Sequence, residues 1–153
     1  MNELRAYADG RWASFGGLQA CTLTEADAAL GPRRSEQLHG GVFGGEPTQF
    51  ALYPGVVAPD DITCWVLGDV VVGLEIRQPA LPPGALDDLG EPAAVISSEL
   101  GAGWRQELWP ERGLVLHRRG DRIAVAFGLK PFDPDAWESD PLRRWRSERR
   151  PSP

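Results

Sequence analysis

Residues 62–76 read ITCWVLGDVVVGLEI. Two runs rich in β-branched residues flank Gly68-Asp69, a pair that can serve as the tight turn of a β-hairpin. A second run, LVLHRRGDRIAVAFGL over 114–129, places Gly120-Asp121 at the matching point, 52 residues later. What precedes each hairpin also matches: Leu30-Gly31-Pro32 answers Leu89-Gly90-Glu91-Pro92, and Tyr53-Pro54 answers Trp109-Pro110. The chain therefore reads as two copies of one α-then-β unit.

Working outward, Thr22 to Leu30 predicts a helix with Thr24 as N-cap, acidic residues at its positive end and Gly31-Pro32 as its stop. Residues 2–13 fit a short helix or a strand. Residues 31–48 hold Gly40-Gly41 and Gly44-Gly45 around Val42-Phe43. A loop that long is unusual in a small domain, so the stretch holds either a short strand or a functional loop. Gln49 to Tyr53 reads as a strand and Pro54 to Asp61 as a turn-rich connection. In the second copy Ala85 to Leu89 reads as a short helix and Arg105 to Trp109 as a strand. Asp135 to Arg150 suggests a terminal helix interrupted at Pro141, with an Arg-rich end.

Helix then three strands, twice, points to α+β: one antiparallel sheet with helices on one face. The expected division is a single domain, 1–153, with an N-terminal repeat over 1–78, a C-terminal repeat over 79–134 and a tail over 135–153. The other sheet face is then open to a partner.

Two-residue turns would place Leu114, Leu116, Ile123, Val125 and Phe127 on the core face, with His117, Arg119 and Arg122 outward. The first hairpin divides less cleanly, because its outer face would carry Trp65, Leu67, Val72, Leu74 and Ile76. Three readings stay open: a hairpin covered on both faces, a longer turn that shifts the register, or a binding patch around Trp65. Glu75 takes the place of Phe127, so it is either a desolvated carboxylate or a solvated strand residue.

The 153 residues carry a net charge of −6, with five Arg and one Glu from Leu142 onward. An acidic body argues against nucleic acid as the main partner. The opening MNELRAYADGRW lacks the basic start and apolar run of a secretory signal, and no apolar run reaches membrane-spanning length. The expectation is a cytoplasmic protein with no membrane partner. Cys21 and Cys64 have no metal-ligand spacing and read as reduced, packed thiols.

The helix ending in Leu-Gly, the Gly-rich segment, the aromatic-ended strand and the Gly-Asp hairpin together resemble the BamE/SmpA repeat. Two such units in tandem are similar to the plan of the β-lactamase inhibitory protein family, over roughly 22–130. The resemblance implies the fold and a tendency to bind proteins through an aromatic-bearing sheet face. Members of that inhibitor family are secreted and disulfide-bonded, which this chain does not match, so β-lactamase is not implied as target.

No Walker loop, dinucleotide glycine pattern, HExxH or GxSxG is present, and no cofactor or metal is expected. The leading expectation is a non-catalytic binding protein of inhibitor or immunity type. It would use Trp65, His117, Arg119 and Arg122, with Phe43 and His39 at the rim. The alternative is a small enzyme or ligand-binding protein with a pocket between sheet and Gly-rich loop, where Glu75 and His117 form the acid/base pair, His117 acting as a base if Glu75 or Glu107 comes within hydrogen-bonding reach. Homodimerisation through the first hairpin is a third.

Overall fold

The computed structural model describes residues 2–43, 46–55, 62–81, 83–98 and 100–135; at Asn2, 39–43 and 46–47 only the backbone is described. Among these residues the fold is α+β. Two helices, α1 (Asn2–Ala8) and α2 (Leu23–Leu30), precede an eight-stranded antiparallel sheet. The strands are β1 (Ser35–Phe43), β2 (Glu46–Tyr53), β3 (Ile62–Leu67), β4 (Val70–Arg77), β5 (Ala94–Ser97), β6 (Arg105–Trp109), β7 (Leu114–Arg119) and β8 (Arg122–Gly128). Their order is β1-β2-β3-β4-β8-β7-β6-β5, so two four-stranded meanders meet at a central β4–β8 pair.

Each half holds four strands where three were expected. The Gly-rich 31–48 region is largely β1, whose residues 35–39 pair with Leu52 back to Thr48. The second half gains β5 on the opposite edge. The expected helix over 85–89 is reduced to one 3₁₀ turn, Asp87–Leu89, with Leu89 buried. Asp87-Asp88-Leu89 is too short a run before Gly90 to sustain a helix against its nucleation cost. The Pro54–Asp61 connection beyond Gly55 and the terminal helix beyond Asp135 lie outside the described residues.

Helix α2 forms where the sequence placed it, with a different cap. Thr22 has extended backbone, its Oγ1 accepts from Glu25 N–H at 3.2 Å, and Gly31 ends the helix at φ 91°. The cap is therefore Thr22, and Thr24 lies inside the helix two residues further on. The start of α2 is also tied to the first hairpin: Val71 N–H donates to the Cys21 carbonyl at 2.8 Å and Leu23 N–H to the Asp69 carbonyl at 3.1 Å.

Both helices cover one sheet face. Leu4, Tyr7, Trp12, Phe15, Leu18, Leu23, Ala26 and Leu30 pack there on Tyr53, Ile62, Cys64, Val66, Val71, Leu74, Ile76, Leu114, Leu116 and Ala126. Tyr7 marks the centre, donating to the Ala126 carbonyl on β8 at 2.6 Å while its oxygen lies 3.4 Å from the Leu74 carbonyl on β4. Burial pushes the thiols of Cys64 and Cys21 above the ordinary range, so both are inert packing residues.

The hairpin turns are two residues long, as read, but each hairpin carries a β-bulge that reverses its inner end. In the first, Trp65 faces Gly73 and Val66 faces Val71, which leaves Val72 extra. In the second, His117 faces Val125 and Arg118 faces Ile123, which leaves Ala124 extra. One inserted residue moves every later side chain to the other face. Leu74 and Ile76 therefore enter the helix-covered core, while Val125 and Phe127 leave it, contrary to the expected division.

Candidate functional site

The second sheet face is where the expected binding residues fall. Register places Trp65, Glu75, His117, Arg119 and Arg122 on it together. Its centre is covered. Phe50, Trp65, Leu108, Val115, Val125, Phe127 and Leu129 form a second buried cluster, with Phe132 packed against it. The Trp65 ring lies 5.5 Å from Phe127 and 6.3 Å from Phe50, and its relative exposure is 0%. An exposed Trp65 patch was one of three readings, and the structure corrects it: the hairpin is covered on both faces. The same burial takes Trp65 itself out of any surface through which this hairpin could meet a second copy. His39 and Phe43 lie on β1, and their side chains fall outside the described residues.

His117 is also buried, at 5% exposure. Its Nδ1 lies 2.8 Å from Ser98 Oγ, which itself accepts from Leu100 N–H at 3.2 Å. The ring meets Phe127 edge-on at 5.7 Å, and Gln106 stands opposite it on β6. Serine and histidine are the residue types of a nucleophile and its base. Here, however, both sit within the covered face, and the bond orients a packed ring against the loop after β5. Ser98 was not legible beforehand because β5 itself was missed.

The expected acid/base pair does not assemble. Glu75 stands on β4 opposite Phe127, and His117 on β7 opposite Val125, so β8 runs between them. Two strand spacings are roughly 10 Å, against the 2.6–3.2 Å or so that proton transfer requires. Glu75 is held instead by Arg77, Nε to Oε1 at 3.1 Å. Glu107, opposite Leu116, points to the helix side, where Arg118 and Arg105 hold it at 3.1 and 3.4 Å.

At the open end of the second face the structure assembles a cluster the sequence only partly indicated. Arg119 and Arg122 are direct cross-strand partners on β7 and β8, and both are exposed. The guanidinium carbon of Arg119 lies 5.0 Å from the centroid of the Trp104 ring, and that of Arg122 lies 5.9 Å away. Both distances are within cation–π range. Trp104 immediately precedes β6, where the Gly101–Gly103 turn sets its ring against the hairpin. The signal available in advance was a tryptophan beside a glycine turn, with two arginines flanking Gly120-Asp121.

A shallow cleft of about 670 Å³ lies elsewhere, lined by Asp27, Ala28, Pro32, Arg33, Ser35 and Glu36. Its polar groups satisfy one another. Tyr53 Oη donates to Asp27 Oδ1 at 2.6 Å, Arg33 reaches the same oxygen at 3.0 Å, and Arg33 also pairs with Glu36. The network fastens the end of α2 to β1 and β2. Among the described residues, no group of three metal-ligating side chains converges and no helix is long and apolar enough to cross a membrane.

Comparison with known proteins finds no matching family model, no matching curated protein and no matching solved structure.

Proposed function

We propose that this protein is a non-catalytic protein-binding protein of inhibitor or immunity type, and that it engages its partner with the open end of the second sheet face. The observation that carries the reading is the exposed pair Arg119 and Arg122 over Trp104, at 5.0 and 5.9 Å. Tryptophan and arginine are the residue types that dominate interface energetics, especially where side chains are pre-organised. The anchor is thus the rim of the face, with His117 two residues inward from Arg119 on the same strand and Trp65 in the buried centre. On the same reading the two meanders are tandem BamE/SmpA-like units in the arrangement of the β-lactamase inhibitory protein. Supporting it, the bulges at Val66/Val71 and Arg118/Ile123 fall 52 residues apart and the strand order is mirrored about β4–β8.

The test uses purified wild type, Trp104→Ala and the Arg119→Ser/Arg122→Ser double variant as matched baits, with thermal unfolding run on each. A partner retained by wild type and lost by both variants at unchanged stability supports the reading. Equal retention by all three removes the proposed surface.

A further inference from the structure

We infer that Arg119, Trp104 and Arg122 form a carboxylate clamp whose partner is an acidic polypeptide segment. This rests on the protein-binding reading above and narrows it to one partner chemistry. Like charges directly opposite on neighbouring strands are unfavourable. Arg119 and Arg122 are such a pair, and among the described residues neither carries an ion pair. The nearby carboxylate of Glu107 is already engaged by Arg105 and Arg118 on the other side of the sheet. Arg118 Nε is also committed, donating to the Gly120 carbonyl at 2.7 Å.

On the second face that end of the sheet therefore presents Arg119 and Arg122, with Asp121 in the turn between them, a positive spot on a chain whose net charge is −6. Trp104 does two things for the pair. Its ring face attracts both cations, and stacking restricts two long side chains that otherwise lose rotamer freedom on binding. What remains outward is the guanidinium N–H edge, which matches a carboxylate in bidentate geometry.

Magnitude selects polypeptide over nucleic acid. Phosphate-backbone binding sums many cation–phosphate contacts along a basic surface, whereas two guanidiniums set in an acidic surface satisfy one or two carboxylates. A short acidic stretch on another protein fits that number.

The test is fluorescence anisotropy with a labelled oligoglutamate peptide, at low and at physiological ionic strength. Wild type should bind, weakening with salt as a surface charge contact does. Arg119→Ser/Arg122→Ser should lose about tenfold or more, the size of one charge-assisted contact. Arg119→Lys/Arg122→Lys keeps the charge without the planar fork and should fall between them. Oligoglutamate binding that ignores these substitutions overturns the clamp. Heparin binding with equal or greater dependence on them also overturns it, in favour of a general anion site. If oligoglutamate fails while cellular partner capture still depends on Arg119 and Arg122, the acidic-partner inference falls and the binding reading stands. If neither depends on them, both fall.

Discussion

The Trp65 indole lies across Gly73 on the neighbouring strand, so closely that a Cβ at residue 73 would sit 2.6 Å from Cε3 of the ring. Phe127 and Phe50 flank the indole at 5.5 and 6.3 Å, and the bulge at Val72 sets Gly73 opposite Trp65. The ring has nowhere to retreat. Gly73→Ala should therefore destabilise by about 1–3 kcal/mol through overpacking, read as a lower urea midpoint at unchanged slope. Trp65→Ala should cost about 3–5 kcal/mol as a core truncation. A Trp65→Ala protein as stable as wild type would mean that the second face is not closed.

Ser98 Oγ and His117 Nδ1 lie 2.8 Å apart, joining the end of β5 to β7 largely out of water. Removing the hydroxyl leaves a buried ring nitrogen without that partner. Ser98→Ala should cost about 1–3 kcal/mol. Amide exchange should show faster opening at Ser98 and Leu100 than at β3 or β4. Uniform exchange in the variant would count against this anchoring role.

Burial, and next the charge of Glu75, push the Tyr7 phenol well above its ordinary range. The folded state then holds this proton more tightly than the unfolded chain does. The resulting stability is complete below the unfolded pKa of about 10 and falls as pH rises above it, by about 1.4 kcal/mol per pH unit. Tyr53 is shifted in the same direction by burial and by its hydrogen bond to Asp27. Tyr7→Phe should cost about 1 kcal/mol at neutral pH and flatten the alkaline limb of a stability–pH curve from urea unfolding. An unchanged alkaline limb would exclude Tyr7 as its source.

The two threonines before and within α2 give a local test. Thr22 Oγ1 accepts from Glu25 N–H at 3.2 Å, and Thr24 lies exposed inside the helix. Thr22→Ala should lower stability by about 1 kcal/mol, while Thr24→Ala should stay within about 0.5 kcal/mol. The reverse order would move the cap to Thr24.

Among the elements, the two Gly-Asp hairpins, the Arg105–Trp109 strand and the helix before Gly31 were legible because each carries its own local signal. Alternation, a turn pair or a helix stop suffices there. Strands β1 and β5 were not. Gly40 and Gly41 lower the intrinsic strand signal of β1, which exists because β2 supplies its hydrogen-bond partners, and Ala94–Ser97 is too short to show a period. For the site, Arg119 and Arg122 were named in advance and lie exposed where expected. Trp104, the residue that organises them, became visible only once the Gly101–Gly103 turn placed it against the hairpin.

The sequence by itself determined the elements with local signals, the antiparallel α+β class and the pairing of arginines across the second turn. Those follow from turn chemistry and side-chain periodicity within about ten residues. Only the tertiary structure decided which face each hairpin residue occupies. A single extra residue, Val72 in one hairpin and Ala124 in the other, reverses the alternation beyond it. The bulges lie where distant groups meet the sheet: Trp65 lies over Gly73, and the Tyr7 hydroxyl reaches the β4–β8 seam. Periodicity within one strand carries no record of such contacts, because their stabilisation comes from packing between segments far apart in the chain.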